Sequence, residues 1–380
     1  MEIVKLVGRE LLEVLYSPVK AFRKIIEKPD FKGVLIVLLL VISATIALQF
    51  VYNSKQAFEV RFPENDEWTE AISGEFVWSS SGSVILDVDD FHVGNRSISS
   101  SSQDATSIWL RVNDFDSIEY SETKGYNEVF FWVKPVNKDG LEVASGTVKL
   151  FSVNEDSYFE RDLVGVLGSG GDWRNVTLGI GPNKGWSSIN SPSWQNITGV
   201  EISLDWSEAA DIDLKVDGLY FRNFVIPIES VGLADSVLYI SLSVAFSVGV
   251  NWVLWAGILL IVSNLFGENV GQWNVFFVII GHAFIVTAVY TVISALLFTS
   301  LPILNMPVES ALQIEAFSAV WLSNTVYQIG TIILWVGEVW VAALSAIVIR
   351  LMKNVPWGKA ATIAIIAFTI RFVLRFFFGM

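Results

Sequence analysis

Five long apolar stretches dominate the hydropathy pattern of the chain. They are Gly33–Tyr52, about Val237–Leu265, Val275–Thr299, about Thr325–Met352 and Trp357–Phe378. A helix needs about 20 apolar residues to cross about 30 Å of hydrocarbon. Each stretch is long enough, so the pattern predicts an all-α bundle of five transmembrane helices. The first helix is expected over 33–52, and the other four within 227–380.

The first apolar stretch follows a basic, amphipathic segment, residues 1–32. Three interpretations are open for it: a cleaved signal peptide, a buried core helix and a permanent membrane anchor. A signal peptide has a much shorter leading region and a shorter apolar core. The permanent anchor is therefore the preferred interpretation.

Lysine and arginine near the ends of the stretches predict the orientation. Residues 1–32 contain seven basic residues. The turn between the last two stretches is also basic, with Arg350, Lys353 and Lys359. Both segments are expected in the cytoplasm, which puts residues 53–226 and the C-terminus outside the cell. Arg371 and Arg375 oppose this orientation, and we expect them to snorkel to the interface or to face the bundle.

Between the first two apolar stretches the pattern changes to short alternating runs. Runs rich in β-branched and aromatic residues recur between turn residues, with no helical pattern between them. About ten such runs predict an inserted all-β sandwich over 53–226. Alternation puts Ile212, Leu214 and Val216 on its packed face. Trp109 and Trp132 lie inside strand patterns and are expected in the core.

Charge is distributed unevenly between these two kinds of sequence. Residues 53–226 contain 28 acidic and 13 basic residues, whereas the rest of the chain contains 11 and 12. Nucleic-acid binding needs a basic patch, so an acidic outer segment argues against such a partner. The chain has no cysteine, which excludes disulfides and thiolate metal sites.

Three Asn-x-Ser/Thr sequons fall inside the predicted outer segment, at Asn95, Asn175 and Asn196. They predict surface glycosylation of that segment. Together with the acidic composition and the absence of cysteine, they would suit an archaeal cell surface.

Four runs in the outer segment resemble galactose-binding-like jelly rolls, the sandwiches of carbohydrate-binding modules. These runs are VDDFHVGNRS, WRNVTLGI, WQNITGVEISLDW and DLKVDGLYFRN, and the resemblance covers about residues 74–224. It implies a jelly-roll fold and a lectin-like function. It also implies one structural calcium ion, with Asp90 and Asp217 as candidate ligands.

Trp186 and Trp194 lie in the loop GPNKGWSSINSPSWQN, where recognition residues are often found. A flat indole face suits stacking against a sugar ring. The two rings are therefore candidates for glycan binding. The alternative is that they fold back and cover the edge of the sandwich.

The apolar part resembles a second family, the prokaryotic Yip-domain membrane proteins. The resemblance is carried by SPVKAFRKIIEKPDFKG before the first stretch, by SNLFGENVGQW, and by the turn RLMKNVPWGKAA. It covers about residues 1–52 and 230–380. It implies five spans with a cytoplasmic N-terminus, and it leaves the sandwich as an insertion. Two departures are Glu268, where a second glycine is usual, and His282.

Polar residues at span depth are costly and usually functional. Asn264, His282 and Glu338 are the candidates, and Asn251 is a further one. Glu338 is expected either to relay protons or a cation, or to form a structural hydrogen bond to a neighbouring helix. A lone histidine rarely forms a metal site. No catalytic motif occurs, so we expect no enzyme activity.

Three functions follow as hypotheses. The first is a membrane scaffold that displays a lectin-like sandwich for glycan or surface binding. The second is a small transporter whose outer domain captures or gates a solute. The third is a membrane-organising protein whose sandwich only contacts the cell envelope. The expected partners are the lipid bilayer and a surface glycan or envelope component.

Overall fold

A computed structural model describes residues 12–71, 77–120, 125–167, 171–228, 233–308 and 319–378. Residues 1–11 of the predicted amphipathic segment lie outside the described residues. The chain divides into two compact units. We call Met1–Ala57 with Ile226–Met380 the helical unit, and Phe58–Val225 the β unit.

The helices and strands alternate in blocks along the chain. The described helices are α1 Pro18–Glu27, α2 Phe31–Asn53, α3 Glu67–Glu70, α4 Val164–Leu167, α5 Leu233–Leu265, α6 Trp273–Ala283, α7 Ile285–Phe298, α8 Thr325–Lys353 and α9 Trp357–Phe378. The described strands are β1 Gln56–Phe62, β2 Val77–Ser80, β3 Ser83–Asp87, β4 Ser97–Ile118, β5 Glu128–Asn137, β6 Val143–Ser152, β7 Asn154–Asp162, β8 Arg174–Gly179, β9 Ser187–Ile189, β10 Ile197–Val225 and β11 Leu304–Met306.

The helical unit contains five helical segments that are long and apolar enough to cross a membrane. They are Phe31–Asn53, Ala234–Leu265, Trp273–Phe298, Thr325–Lys353 and Trp357–Arg375. All five predicted stretches are therefore helical. The third is divided into α6 and α7 at Phe284, whose N–H bonds to the carbonyl of Gly281, three residues back.

Close approach of small residues joins α2 to α6. A Cβ atom added to Gly281 would lie 2.4 Å from a methyl carbon of Val34, and one added to Gly33 would lie 2.5 Å from Nε2 of His282. Between α5 and α8, the indole N–H of Trp255 donates to the hydroxyl of the buried Ser345 at 3.1 Å. Such small-residue contacts and interhelical hydrogen bonds are how apolar helices associate where lipid surrounds them.

The β unit is one open sheet that folds around a single apolar core. Strand β10 holds it together, since its first part pairs with β4 and β6 and its later part with β4, β5 and β1. A register shift between Asp205 and Ala210 separates the two parts. Apolar side chains from both parts, such as Ile202 and Leu214, belong to the same buried cluster.

Alternation along β10 is confirmed, because Ile212, Leu214 and Val216 are all fully buried. Two short helices, α3 and α4, interrupt a segment for which the sequence pattern predicts only strands. The runs GVEISLDW and IDLKVDGLYF, which read as separate strands, are parts of the one strand β10.

The prediction that Trp109 and Trp132 belong to the core is wrong. Both are only half-buried, because their neighbours in the strands, such as Ile108 and Phe131, take the inward positions. The guanidinium of Arg111 lies 5.0 Å from the ring centroid of Trp109. The ring of Trp132 packs against His92 with centroids 3.6 Å apart.

Candidate functional site

A cleft of about 940 Å³ opens in the β unit where β1, α3 and the end of β4 come together. Its floor is apolar: Trp68 and Phe115 are buried, with ring centroids 4.5 Å apart. The backbone of Trp68 is held by a hydrogen bond, because the indole N–H of Trp78 donates to its carbonyl at 2.6 Å. These contacts give the cleft a rigid base.

The walls of the cleft carry two aromatic rings that are only half-buried, Phe62 and Tyr126. Their centroids lie 6.3 Å apart with the ring planes inclined at 53°. Phe62 also packs edge-on against Trp68, with centroids 5.6 Å apart. The two wall rings are therefore fixed in place while part of each faces the open space.

Four exposed carboxylates stand around the cleft, on Glu64, Glu67, Asp114 and Asp116. Arg61 also lines it, and its Nε donates to the carbonyl of Glu64 at 2.9 Å. Burial, together with the nearby charge of Glu64, raises the pKa of Tyr126. Its phenol therefore stays protonated at neutral pH and can donate a hydrogen bond.

This combination of groups is suited to a neutral, polyhydroxylated ligand. Half-exposed rings can cover the apolar C–H face of a sugar. Ionised carboxylates only accept hydrogen bonds, so they pair with hydroxyl donors and repel anions. The sequence pattern does not predict the cleft, because its residues come from three separate segments, 60–68, 114–116 and the segment of Tyr126.

Trp186 and Trp194 lie together, with ring centroids 6.0 Å apart. Trp194 stacks on Phe159 at 3.5 Å with the planes nearly parallel, so one face of its ring is covered. The indole N–H of Trp186 donates to the carbonyl of Gly179 at 2.8 Å. Both rings are half-buried against the core of the β unit, an arrangement in keeping with the edge-covering alternative, and sugar stacking here stays a prediction.

Asp90 lies in an ion-pair cluster with two lysines. Its carboxylate accepts from Nζ of Lys134 at 2.9 Å and from Nζ of Lys215 at 2.7 Å, and from the indole of Trp173 at 3.0 Å. Burial alone would raise the pKa of Asp90, but these hydrogen bonds outweigh it and bring the pKa down to about 2. Two ammonium groups already neutralise this carboxylate.

Asp217 has different partners. Its Oδ2 accepts from the backbone N–H of His92 at 2.5 Å and of Val93 at 2.7 Å, and its Oδ1 accepts from the hydroxyl of Thr69 at 3.2 Å. In the described residues, no group of three or more His, Cys, Asp and Glu side chains is arranged to hold a metal ion. A structural calcium ion at Asp90 and Asp217 stays a prediction, at two carboxylates that already accept hydrogen bonds from protein groups.

Asp66 lies next to Asp217 through a shared contact, since the hydroxyl oxygen of Thr69 lies within hydrogen-bond distance of both carboxyl groups. The second carboxylate oxygen of Asp66 is buried and has no hydrogen-bond partner in the part of the chain that the structure describes. Burial raises the pKa of Asp66 to about 8; the bond from Thr69 opposes this rise, and the charges of Asp217 and Glu70 add to it. Asp66 is therefore protonated in the folded protein at pH 7.

Among known proteins, the chain is similar to several solved structures. No protein-family model and no curated protein matches the chain. An exo-β-agarase is 10% identical with a TM-score of 0.31, over 43% of this chain and 25% of the agarase. The chain thus spans about a quarter of that enzyme.

Other similar structures are isolated binding modules. A family 30 carbohydrate-binding module of a Clostridium thermocellum cellulase is 11% identical with a TM-score of 0.28, over 41% of this chain and 90% of the module. A family 11 module from the same organism, in complex with a β-1,3-1,4-mixed-linked tetrasaccharide, is 10% identical with a TM-score of 0.28, over 44% and 95%.

The three sequon asparagines differ in exposure. Asn95 and Asn175 are exposed, whereas Asn196 is half-buried. The amide oxygen of Asn175 accepts from the hydroxyl of Thr177 at 3.1 Å. All three lie in the β unit, and their glycosylation stays a prediction.

The polar residues predicted at span depth occupy three different environments. Asn264 is exposed near the end of α5, where its carbonyl accepts from the N–H of Gly267. His282 is buried, and its Nδ1 lies 2.9 Å from the carbonyl oxygen of Val278. Glu338 forms ion pairs with Arg371 at 2.8 Å and with Arg375 at 3.4 Å.

The pairing of Glu338 also locates the two arginines that opposed the predicted orientation. The side chain of Arg371 is only 11% exposed and faces the bundle, whereas that of Arg375 is 55% exposed. A contact between helices is what the structural alternative for Glu338 expects. A transport role for Glu338 stays a hypothesis.

Proposed function

We propose that this protein is a membrane-embedded scaffold whose β unit binds a neutral glycan through the cleft at Phe62 and Tyr126. The observation that carries the proposal is the cleft itself, with half-exposed rings above a rigid aromatic floor and four carboxylates at its rim. The rings supply stacking surface, the carboxylates accept from sugar hydroxyls, and the net negative charge excludes acidic or sulfated sugars.

Display of the β unit on the outside follows from the proposed insertion of the five long apolar helices in a membrane. Basic residues at Arg350, Lys353 and Lys359 support a cytoplasmic position for the turn between α8 and α9. Protease treatment of intact cells tests this orientation, with tags at both termini. Cleavage within residues 58–225 is expected, and full protection of that segment would contradict outward display.

Glycan binding is tested on the full chain in lipid nanodiscs against a panel of neutral, acidic and sulfated polysaccharides. We expect retention on at least one neutral polysaccharide and on none of the acidic ones. Tyr126→Ala should weaken retention about tenfold, since stacking on one ring contributes about 0.5–1.5 kcal/mol and the hydrogen bond of the hydroxyl adds a similar amount. Tyr158→Ala, at a half-buried tyrosine on β7, is the matched control and should bind normally.

The same panel separates the cleft from the loop tryptophans. If Trp186→Ala plus Trp194→Ala abolishes retention while Tyr126→Ala does not, the glycan lies at the loop and the cleft proposal is wrong. If the unmodified protein is retained on nothing across the panel, glycan binding is wrong. A purely structural outer domain would then be the better account of the β unit.

A further inference from the structure

One cavity of the helical unit lies beside the ion pairs of Glu338 and is lined by Glu338 and Arg375. It has a volume of about 480 Å³ and is bounded by residues of α2, α5, α7, α8 and α9, among them Gln49, Asn251 and Thr331. A second cavity of about 330 Å³ lies beside it, and Ser247, Asn251 and Arg375 line both. Arg375 therefore forms part of the wall between the two spaces.

Among the described residues, the charged side chains that line these cavities do not balance. They are one carboxylate, Glu338, and two guanidinium groups, Arg371 and Arg375. An arginine side chain cannot lose its proton in a protein, so the cluster carries one surplus positive charge. No other described side chain that lines the two cavities offsets this charge, so the cluster can accept one negative charge from a ligand.

Only one of the two arginines is available for a ligand. Arg371 donates to Glu338 at 2.8 Å, its side chain is 11% exposed, and its guanidinium lies over the ring of Trp255. Arg375 makes a longer contact of 3.4 Å to the other carboxylate oxygen, and its side chain is 55% exposed. A guanidinium has five N–H donors in a fork that matches a phosphate, and the Arg375 side chain lines both cavities.

The depth of Arg375 matches that of lipid headgroups. The segment Trp357–Arg375 contains 19 residues, so Arg375 lies about 27 Å along the helix from the basic turn that precedes Trp357. This is nearly the thickness of the hydrocarbon layer, about 30 Å. With the basic turn at one interface, Arg375 reaches the opposite one, where phosphates lie.

The two cavities differ in polarity, so together they could hold the polar headgroup and the apolar chain of a lipid. The larger one has polar side chains from three helices, such as Gln49, Thr287 and Thr331. The smaller one extends from Arg375 along the apolar side chains of Val250, Leu254 and Ile258. A phosphate at Arg375 could place an acyl chain along this apolar side.

We propose that Arg375, held beside Glu338 and Arg371, binds one phosphate oxyanion in the helical unit. A lipid headgroup is the source that the apolar second cavity favours, and inorganic phosphate from solution is the other source. The proposal rests on the proposed membrane insertion but is independent of glycan binding by the β unit. Glycan retention and lipid retention therefore succeed or fail separately.

The test is native mass spectrometry of the full chain, released from detergent micelles that contain phosphatidylglycerol, diacylglycerol or inorganic phosphate. We expect one phosphatidylglycerol to be retained and diacylglycerol to be lost. Arg375→Gln should weaken retention about tenfold or more, and Arg375→Lys should keep most of it. Lys353→Gln, at a cation that lines neither cavity, is the matched control and should retain lipid normally.

Glu338→Gln should not weaken lipid retention, in contrast to Arg375→Gln. It removes the only carboxylate of the cluster, so retention of the anionic lipid should stay equal or increase. A purely structural ion pair predicts a loss in both variants. Retention of inorganic phosphate without lipid would support the oxyanion site with a solution source. Equal lipid retention by Arg375→Gln, or loss of lipid with Glu338→Gln, would overturn the proposal.

Discussion

The two units handle buried charge in opposite ways. In the β unit, the nearly inaccessible Glu201 pairs with Arg111 and, at 2.9 Å, with Lys149, and Arg111 also pairs with Glu155 at 3.0 Å, so two carboxylates meet two cations. In the helical unit, the single carboxylate of Glu338 serves two arginines and leaves one positive charge over.

The difference teaches where each unit has room for a ligand. In the β unit the ion pairs lie on strands whose partners are fixed by register, and the charges compensate one another within the fold. The cleft at Tyr126 instead presents its carboxylates outward. In the helical unit the charge imbalance lies beside the cavities, so electrostatics there favours an added anion.

The largest expected effect comes from breaking the compensation at Glu201. Glu201→Gln leaves Lys149 without its carboxylate and Arg111 with only the exposed Glu155, and should destabilise the β unit by about 3 kcal/mol. Hydrogen–deuterium exchange of β4, β6 and β10 in the full chain measures this effect. Glu155→Gln is the control, because Glu155 pairs with the same arginine at 3.0 Å but is 69% exposed.

The control should cost less than about 1 kcal/mol, as exposed ion pairs do. If the two variants were equally stable, charge compensation would not be what distinguishes Glu201. The β unit would then not depend on compensation of its buried charges.

A second expected effect is a pH dependence confined to the β unit. The pKa of Asp66 is raised from 3.8 to about 8 in the folded state, so folding is favoured while the carboxyl is protonated. This stabilisation is complete below pH 4 and is lost as the pH rises through 8. Between pH 6.5 and pH 9 the β unit should lose about 2 kcal/mol through this group.

Asp66→Asn should remove that slope, because an amide does not ionise at these pH values. Hydrogen–deuterium exchange rates of the backbone amides near Thr69 and Gly218 measure this change. A chelator is added so that no bound metal ion contributes to the pH dependence. The helical unit of the same molecule serves as an internal reference. A slope that persists in Asp66→Asn would assign the pH dependence to another group.

The smallest expected effect lies between α5 and α8. Ser345→Ala removes the acceptor of the Trp255 indole N–H and should destabilise the helical unit by about 1 kcal/mol, typical of hydrogen bonds between helices in membranes. Unfolding of the full chain in detergent with increasing denaturing surfactant measures it. Thr362→Ala, at an exposed hydroxyl that bonds only to its own helix, should change nothing measurable.

The sequence predicts the helical segments well because a continuous apolar run carries its own signal. It predicts the packed face of β10 equally well, since Ile212, Leu214 and Val216 alternate with polar residues. Alternation alone does not say which face of a strand packs against the core. A strand pattern therefore places Trp109 and Trp132 in the core, although both are half-buried.

The candidate sites could not be predicted because their partners are distant in sequence. Asp90 is 125 residues from Lys215, and nothing in the local pattern around either residue shows that they meet. The cleft combines residues of β1, α3 and β4 in the same way. The ion pairs of Glu338 had a partial signal, since Arg371 and Arg375 are two cations four residues apart in an apolar helix.

The first and last strands of the β unit are neighbours, since Phe58 is paired with Val225 in the antiparallel ladder of β1 and β10. Adjacent strands of this kind lie about 5 Å apart. The two ends of the insert thus emerge side by side, and a turn of a few residues could replace all of Phe58–Val225. The β unit could therefore be removed at this point, or another domain inserted in its place.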